Sequence, residues 1–167
     1  GHLLLSTLHT NDAATAFPRL MDMGIEPFLI ASSMRVVVAQ RLVRSICASC
    51  RASYPIMKEE EAALRQDTTL MQEAQRVWNK KDFSHMTLYH GVGCASCSGS
   101  GFVGRTGIFE VLEMDAALRP LVTQKASSDV IGQKACEQGM HSMLYDGLTK
   151  IEAGITTLDE VLRVIRT

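Results

Sequence analysis

Apolar residues change their spacing several times along this chain, and each change marks an element. Leu3-Leu4-Leu5 is an unbroken apolar run that turns polar through Ser6-Thr7-Leu8-His9. A run without alternation predicts a strand buried on both faces, as in a parallel sheet. Ligands of such sheets sit beyond the carboxyl ends of the strands, which places His9, Thr10, Asn11 and Asp12 at that edge. One strand makes no sheet, so the rest of such a domain is expected to lie outside these 167 residues. A short helix is predicted over roughly Ala16 to Met23, with Thr15 as N-cap, Pro18 in the first turn and Gly24 closing it. Pro27 opens a second segment, Phe28 to Met34. Val36-Val37-Val38 is β-branched and predicted to be extended.

The second half reads mainly as helix. Thr69-Leu70-Met71-Gln72 has the form of a capping box, and Leu70, Ala74, Val77 and Trp78 then share one helical face. Met86 to His90 is a predicted strand. Gly99-Ser100-Gly101 marks a turn, and Thr106 to Leu112 another strand. Asp115 is placed to cap a helix through Leu121 and Val122 that Pro120 must bend or shorten. Ser127 starts a helix carrying Val130, Lys134 and Cys136, ending at Gly139. His141 to Ala153 is a third, with Gly154 as its C′ residue. Thr157-Leu158-Asp159-Glu160 is a second capping box, opening a helix with Leu158, Val161, Leu162 and Ile165 on one face.

Composition narrows the class. A hydrophobic fraction of 46% with 21% charged residues is that of a globular chain. A net charge of −1 offers no long-range attraction to nucleic acid or anionic lipid. No apolar run approaches the ~18 residues of a membrane span, so any membrane contact is expected to be peripheral. The opening Gly-His-Leu-Leu-Leu has no basic n-region and does not read as a signal peptide.

Chemistry concentrates in the cysteines. Cys47-Ala-Ser-Cys50 and Cys94-Ala-Ser-Cys97 are two C-x-x-C knuckles. Two such knuckles supply the four-thiolate tetrahedron that Zn²⁺ prefers, and a filled shell of four makes the site structural rather than hydrolytic. Residues 51–93 between the pairs exceed the usual zinc-ribbon spacing, so they are expected to form a lobe of their own. That lobe carries six basic and six acidic residues, which is no footprint for nucleic acid. Competing readings are a redox dithiol, which lacks its βαβ surroundings, unrelated pairs, and ligation by His85 or His90. Cys136, at a helical position, reads as a packed thiol.

Three weaker signals remain. His9, at the end of a strand, could hydrogen-bond a phosphate or a nearby water, or be satisfied within a turn. From Pro27 to Lys58 there is no carboxylate, while Arg35, Arg41, Arg44, Arg51 and Lys58 are cationic. Their partners are therefore expected from elsewhere: another subunit, a nucleotide or absent parts of the domain, unless the face is simply solvated. Gly99-x-Gly101-Phe-Val-Gly104-Arg105-Thr106-Gly107 lacks a G-K-[ST] ending and reads as a tight turn with close backbone approach, not a phosphate loop.

Taken in order, these residues resemble a known family. Gly1-His2-Leu3-Leu4-Leu5-Ser6-Thr7-Leu8-His9-Thr10-Asn11-Asp12-Ala13 resembles the histidine box of the type II secretion and type IV pilus assembly ATPases. The likeness continues through Asp22 to Leu29 and Ala39 to Arg44. It resumes at Cys94-x-x-Cys97 and Gly104-Arg105-Thr106-Gly107-Ile108-Phe109-Glu110, and ends with Asp146-Gly147-Leu148 and Gly154 to Val164. Pro18 and Pro120 stand where helical residues are more usual, and Arg35 where many relatives have a small residue.

The resemblance implies an α/β fold: a truncated RecA-like P-loop NTPase core remnant (1–44), a tetracysteine zinc module with a variable helical insert (45–100) and a mostly helical C-terminal subdomain (101–167). It implies ATP with Mg²⁺, structural Zn²⁺, a hexameric ring, an inner-membrane platform protein as partner, and a cytoplasmic place at the bacterial inner membrane. His2 and His9 would act near the γ-phosphate, and Arg41 and Arg105 would bind nucleotide. The Walker A, aspartate box and Walker B segments are expected before Gly1, so the chain alone is expected to be inactive. The rival is a non-enzymatic, zinc-stabilised docking module.

Overall fold

The computed structural model describes residues 2–79 and 82–166. In chain order the elements are α1 (Ala16–Asp22), α2 (Pro27–Ser33), β1 (Val36–Ile46), β2 (Arg51–Pro55), α3 (Lys58–Gln66), α4 (Thr68–Trp78), β3 (Thr87–Gly91), β4 (Phe102–Glu113), α5 (Leu118–Thr123), α6 (Ser128–Glu137), α7 (Met143–Glu152) and α8 (Leu158–Ile165). The fold is mixed α/β. Single 3₁₀ turns at Ala48–Cys50 and Ala95–Cys97 complete it. β1 pairs with β4, and β2 pairs with β3 antiparallel, with Arg51 opposite Gly91 and Pro55 opposite Thr87.

Two compact units emerge, each built from two stretches of chain. One contains the residues up to Ala39 with Glu110–Ser142, the other Gln40–Phe109 with the residues from Met143 onward. The boundaries of this grouping fall inside β1, inside β4 near its end and just before α7, at Ala39/Gln40, Phe109/Glu110 and Ser142/Met143. Among the described residues, no helix is long and apolar enough to cross a membrane.

In the first unit α1 packs on α2, α2 on α5 and α5 on α6. Phe17, Ile30, Leu118, Val122 and Ile131 fill its core. Asp12 Oδ1 accepts from the Thr15 N–H and hydroxyl at 2.7 and 2.6 Å, so Asp12, rather than the Thr15 side chain, closes the entry to α1. Gly24 ends α1 at φ +84°, and Pro27 takes the first position of α2. Asp115 caps α5 as expected, accepting from Ala117 and Leu118 N–H.

The opening strand is a correction. Residues 2–10 have no regular structure, and Leu3, Leu4 and Leu5 are 86, 84 and 87% exposed. A strand is stable only when a neighbour satisfies its N–H and C=O groups, and none of the described residues pairs with this segment. The chain joins the fold at Ala13, whose N–H donates to the buried Glu110 carboxylate at 3.0 Å.

The second unit holds the lobe between the cysteine pairs. Leu64, Leu70, Ala74 and Trp78 are buried, with Val77 beside them only half-buried. Trp78 donates its indole N–H to Leu148 O at 3.3 Å and meets Phe83 edge-on at 5.4 Å. α4 begins two residues earlier than its capping-box pattern implies. Asp67 is the N-cap, its Oδ1 accepting from Thr69 and Leu70 N–H.

α7 lies close against α8 at Gly147, where an added Cβ would meet Val161 Cγ1 at 2.6 Å. Val161 is fully buried and stiff at χ1. Gly147→Ala is therefore expected to cost about 1–3 kcal/mol in overpacking, offset by about 1 kcal/mol of helix propensity. Urea titration should show a lowered midpoint that Val161→Ala partly restores in the double variant.

α8 corrects two expectations. Thr157 does cap it, its hydroxyl oxygen accepting from Glu160 N–H at 3.4 Å. Glu160, however, points inward. Its carboxylate accepts from Arg44 N–H at 3.0 Å, Arg44 Nη2 at 2.7 Å and Arg163 Nη2 at 2.9 Å. The buried face is thus Leu158, Glu160, Val161 and Val164, while Ile165 is exposed. Arg44, expected to look outside the chain for its anion, finds it in α8.

Burial alone would raise the Glu160 carboxyl, but the hydrogen bonds from Arg44 and Arg163 outweigh it and hold it down at about 2, from an ordinary 4.5. A depressed folded pKa contributes stability that is complete above about pH 4.5 and lost as pH falls toward about 2. The contribution is on the order of 2 kcal/mol once the solvent around the half-exposed arginines is allowed for. Glu160→Gln should flatten this part of the acid limb in pH-dependent denaturation.

Candidate metal centre

The four cysteines predicted to act together do meet in the structure. Their Sγ atoms all lie within 4.8 Å of one another, and among the described residues this is the group of side chains that gathers as a metal shell does. Cys47, Cys50 and Cys97 are buried, Cys94 half-buried.

Each pair is placed by a short local device. Cys50 N–H donates to Cys47 O at 3.2 Å and Cys97 N–H to Cys94 O at 3.3 Å, so each C-x-x-C closes into a 3₁₀ turn with both sulfurs on one side. Ser98, at φ +51°, then turns the chain away, with Gly99 and Gly101 also at positive φ. The knuckles are brought together by backbone contact. A Cβ on Gly91 would lie 2.0 Å from Gly101 O, and one on Gly101 would lie 2.4 Å from Gly91 O. Cys47 N–H donates to Gly101 O at 2.9 Å, and Val92 N–H to Cys50 O at 3.0 Å. The glycine-rich turn is thus the close backbone approach expected of it.

The distances identify the size of ion that fits. Four sulfurs about 2.3 Å from a shared centre form a tetrahedron with edges of about 3.8 Å. The structure places Cys47 and Cys94 at 3.9 Å, Cys50 and Cys97 at 3.8 Å, and Cys94 and Cys97 at 3.7 Å. These separations are far beyond the ~2.05 Å of a disulfide.

Electrostatics point the same way. The Cys97 thiol is drawn down to about 6, first by the N–H of Cys94 and also by that of Gly101, at 3.2 and 3.3 Å from its sulfur. Burial pushes the Cys50 thiol up to about 12. One sulfur is therefore favoured as thiolate, and another sits where only a cation would let it ionise. Neither His85 nor His90 joins the cluster. Both are exposed, and His90 packs edge-on against Tyr54.

The other predicted site residues are not gathered in the same way. His2 and His9 are exposed in the irregular segment of the first unit, and Gly1 lies outside the described residues. Arg41 is half-buried on β1 and Arg105 exposed on β4, both in the second unit. Arg51 donates to Gly154 O at 3.2 Å and lies over the Tyr89 ring, and Arg44 over that of Phe102. Cys136 is half-buried on α6 in the first unit and is not part of the four-sulfur group. Sequence reasoning missed α3, β2 and the contacts of residues 154–160 with the first knuckle; α3 carried a local signal in its acidic first turn and the i,i+4 spacing of Glu61 and Arg65, whereas the distant contacts carry none.

A profile of the family described as Type II/IV secretion system protein matches residues 1–163. The chain belongs to that family. Members similar to it include type II secretion system ATPase E of Vibrio cholerae, 42% identical over 166 residues, an alignment taking in 99% of this chain and 30% of the relative. Type II secretion system protein HxcR of Pseudomonas aeruginosa is 43% identical over 166 residues, 99% of this chain and 29% of the relative. Type IV pilus assembly ATPase PilB of Myxococcus xanthus is 40% identical over 162 residues, 97% of this chain and 27% of the relative. The chain thus spans less than a third of the length of these type II/IV secretion family relatives.

Proposed function

We propose that this chain is part of an ATPase that powers pseudopilus or pilus assembly, in which Cys47, Cys50, Cys94 and Cys97 hold a structural zinc ion. The observation that carries the reading is the alignment of nearly the whole chain with relatives named as type II secretion and type IV pilus assembly ATPases. In this reading residues 1–44 are a remnant of a RecA-like core, 45–100 the zinc module and 101–167 a mostly helical subdomain. The parent binds ATP with Mg²⁺ as a homo-hexamer on the cytoplasmic side of the inner membrane and acts on a platform protein there. Turnover alters the placement of rigid parts around the ring, and the zinc lobe serves as lever or docking surface. The reading of a purely non-enzymatic module is not favoured, because relatives named as ATPases align with nearly the whole chain.

Within this chain, His9 and His2 are assigned to the γ-phosphate region, and Arg41 and Arg105 to nucleotide contact. An imidazole there donates a hydrogen bond to a phosphate oxygen or orients a water. The 167 residues contain no G-x-x-x-x-G-K-[ST] loop to cradle phosphates, so the chain alone is expected not to turn over ATP. The test is steady-state hydrolysis by the full-length parent. His9→Ala should lower kcat by about 100-fold, the scale of losing one transition-state donor, while a fluorescent ATP analogue still binds. An unchanged kcat overturns the assignment of His9.

A further inference from the structure

The first cysteine knuckle is held on both sides by a stretch of chain more than a hundred residues away. On the entering side, Arg44 N–H donates to Glu160 Oε2 at 3.0 Å, the Thr156 hydroxyl donates to Arg44 O at 2.8 Å, and Ile46 N–H donates to Ile155 O at 2.8 Å. Cys47 is the next residue. On the leaving side, Arg51 directly follows Cys50 and donates to Gly154 O at 3.2 Å. Gly154 is wedged close to Arg51 and Tyr89: a Cβ there would come within 2.9 Å of the Tyr89 ring and 3.3 Å of Arg51 Nη1. Thr156 and Glu160 are 0 and 2% exposed, so the clamp's own side chains are held inside the fold, while the bonds they make to the Arg44 main chain are partly buried. Among the described residues, no comparable distant stretch of chain clamps the second knuckle. Its turn is held by bonds among residues 94–102, and by Gly101 O accepting from Cys47.

A tetrathiolate binds tightly only if its sulfurs are already near their final positions, because ordering them at the moment of binding costs affinity. The backbone from Arg44 to Arg51 fixes where Cys47 and Cys50 point. We propose that Thr156 and Glu160 are positioning residues for the metal centre, pre-setting the Cys47–Cys50 knuckle through the main chain of Arg44 without touching the ion. This rests on the reading of the four cysteines as a zinc site. Their role is kinetic as well as thermodynamic. The clamp keeps two of the four sulfurs from swinging out, which is the first step by which a closed site loses its ion to a competing chelator.

The experiment uses the 167-residue chain loaded with Zn²⁺. Zinc per chain is measured by native mass spectrometry, and release into a chromophoric chelator is followed under conditions where circular dichroism reports an intact fold. Thr156→Val removes the hydroxyl at nearly constant volume. Glu160→Gln keeps an acceptor for Arg44 N–H, and Glu160→Leu removes it. Asp146→Asn, which weakens the 2.8 Å bond from Phe109 N–H in the same unit, is the control for general destabilisation.

Thr156→Val and Glu160→Leu should release zinc roughly 10-fold faster than the parent chain, the lower end of the effect of outer-shell partners. Glu160→Gln should fall between, and Asp146→Asn should match the parent. The Co²⁺-substituted variants should also show altered d–d bands, which a packing defect remote from the sulfurs leaves unchanged. If Glu160→Leu does not fold, Thr156→Val and Glu160→Gln carry the test. Release and cobalt spectra equal to those of the parent chain overturn the positioning role while leaving the zinc reading intact. A parent chain that takes up no zinc removes that reading, and this inference with it.

Discussion

Stripping zinc from the chain, or replacing Cys97 by Ser, is expected to dismantle the knuckles and lower the unfolding temperature by more than ~10 °C. Structural zinc in small domains supplies an apparent ~10–16 kcal/mol, as much as the whole stability of an ordinary fold. Here the loss is smaller than total unfolding. Leu64, Leu70, Trp78, Leu148 and Ile151 form a buried apolar set outside the cluster of packed cysteines. The metal is needed where that set does not reach. Without a cation, burial disfavours the thiolate of Cys50, while the N–H groups of Cys94 and Gly101 favour that of Cys97, so the two sulfurs are driven in opposite directions. Hydrogen exchange should show the N–H groups of Cys50, Cys97 and Gly101 losing protection on chelation, while Leu70 to Trp78 keep theirs. Equal protection with and without metal would argue that the four sulfurs meet for reasons of packing alone.

Gly91→Ala and Gly101→Ala are the substitutions expected to cost most among the glycines. Each new Cβ would fall 2.0–2.4 Å from a backbone oxygen, which cannot rotate away as a side chain would. Relief requires the end of β3 to separate from the turn after the second knuckle. That separation weakens the Cys47 N–H to Gly101 O bond and spreads the sulfur tetrahedron. A loss of about 4 kcal/mol or more is expected for each, with Gly101→Ala adding about 1 kcal/mol for its φ of +75°. Gly104→Ala is the informative contrast. It has φ +71° and nothing within 4 Å of its Cβ, so it should cost only the conformational strain, about 1 kcal/mol. Urea denaturation together with zinc content separates the two cases: Gly91→Ala should lose both stability and metal, Gly104→Ala little of either.

What the sequence revealed followed the range of the forces involved. The C-x-x-C turns, Gly24, Gly139 and Gly154 at helix ends, and the Thr157 and Ser127 caps are decided within four or five residues, and each was readable. The α3 helix escaped notice because Lys58-Glu59-Glu60-Glu61 hides its apolar stripe. Only Leu64 on it is fully buried. Leu3-Leu4-Leu5 misled because an apolar run records a residue's preference for burial, not whether a partner strand is there to cover it. The role of Glu160 was hidden for the opposite reason. Its position fits a capping box, yet an arginine 116 residues earlier competes for the carboxylate and takes it. The nucleotide roles of His2, His9, Arg41 and Arg105 came from resemblance, although His9 also stood out at a predicted strand end and Arg41 in a stretch without carboxylates; the exposure of His9 and Arg105 gives them no partner set comparable with that of the cysteines.

The order in which the sulfurs are made has a consequence for synthesis in the cell. Cys94 follows Cys47 by 47 residues, so at ~5–20 residues per second the ribosome exposes the first pair as a bare two-sulfur chelate for several seconds before the second exists. Its clamp, residues 154–160, arrives later still. During that interval the nascent pair is open to copper, to oxidants and to cysteines of neighbouring chains. Overexpression in metal-poor or oxidising conditions should therefore yield mismetallated or cross-linked product, and co-translational zinc supply should decide the fraction that reaches the native arrangement.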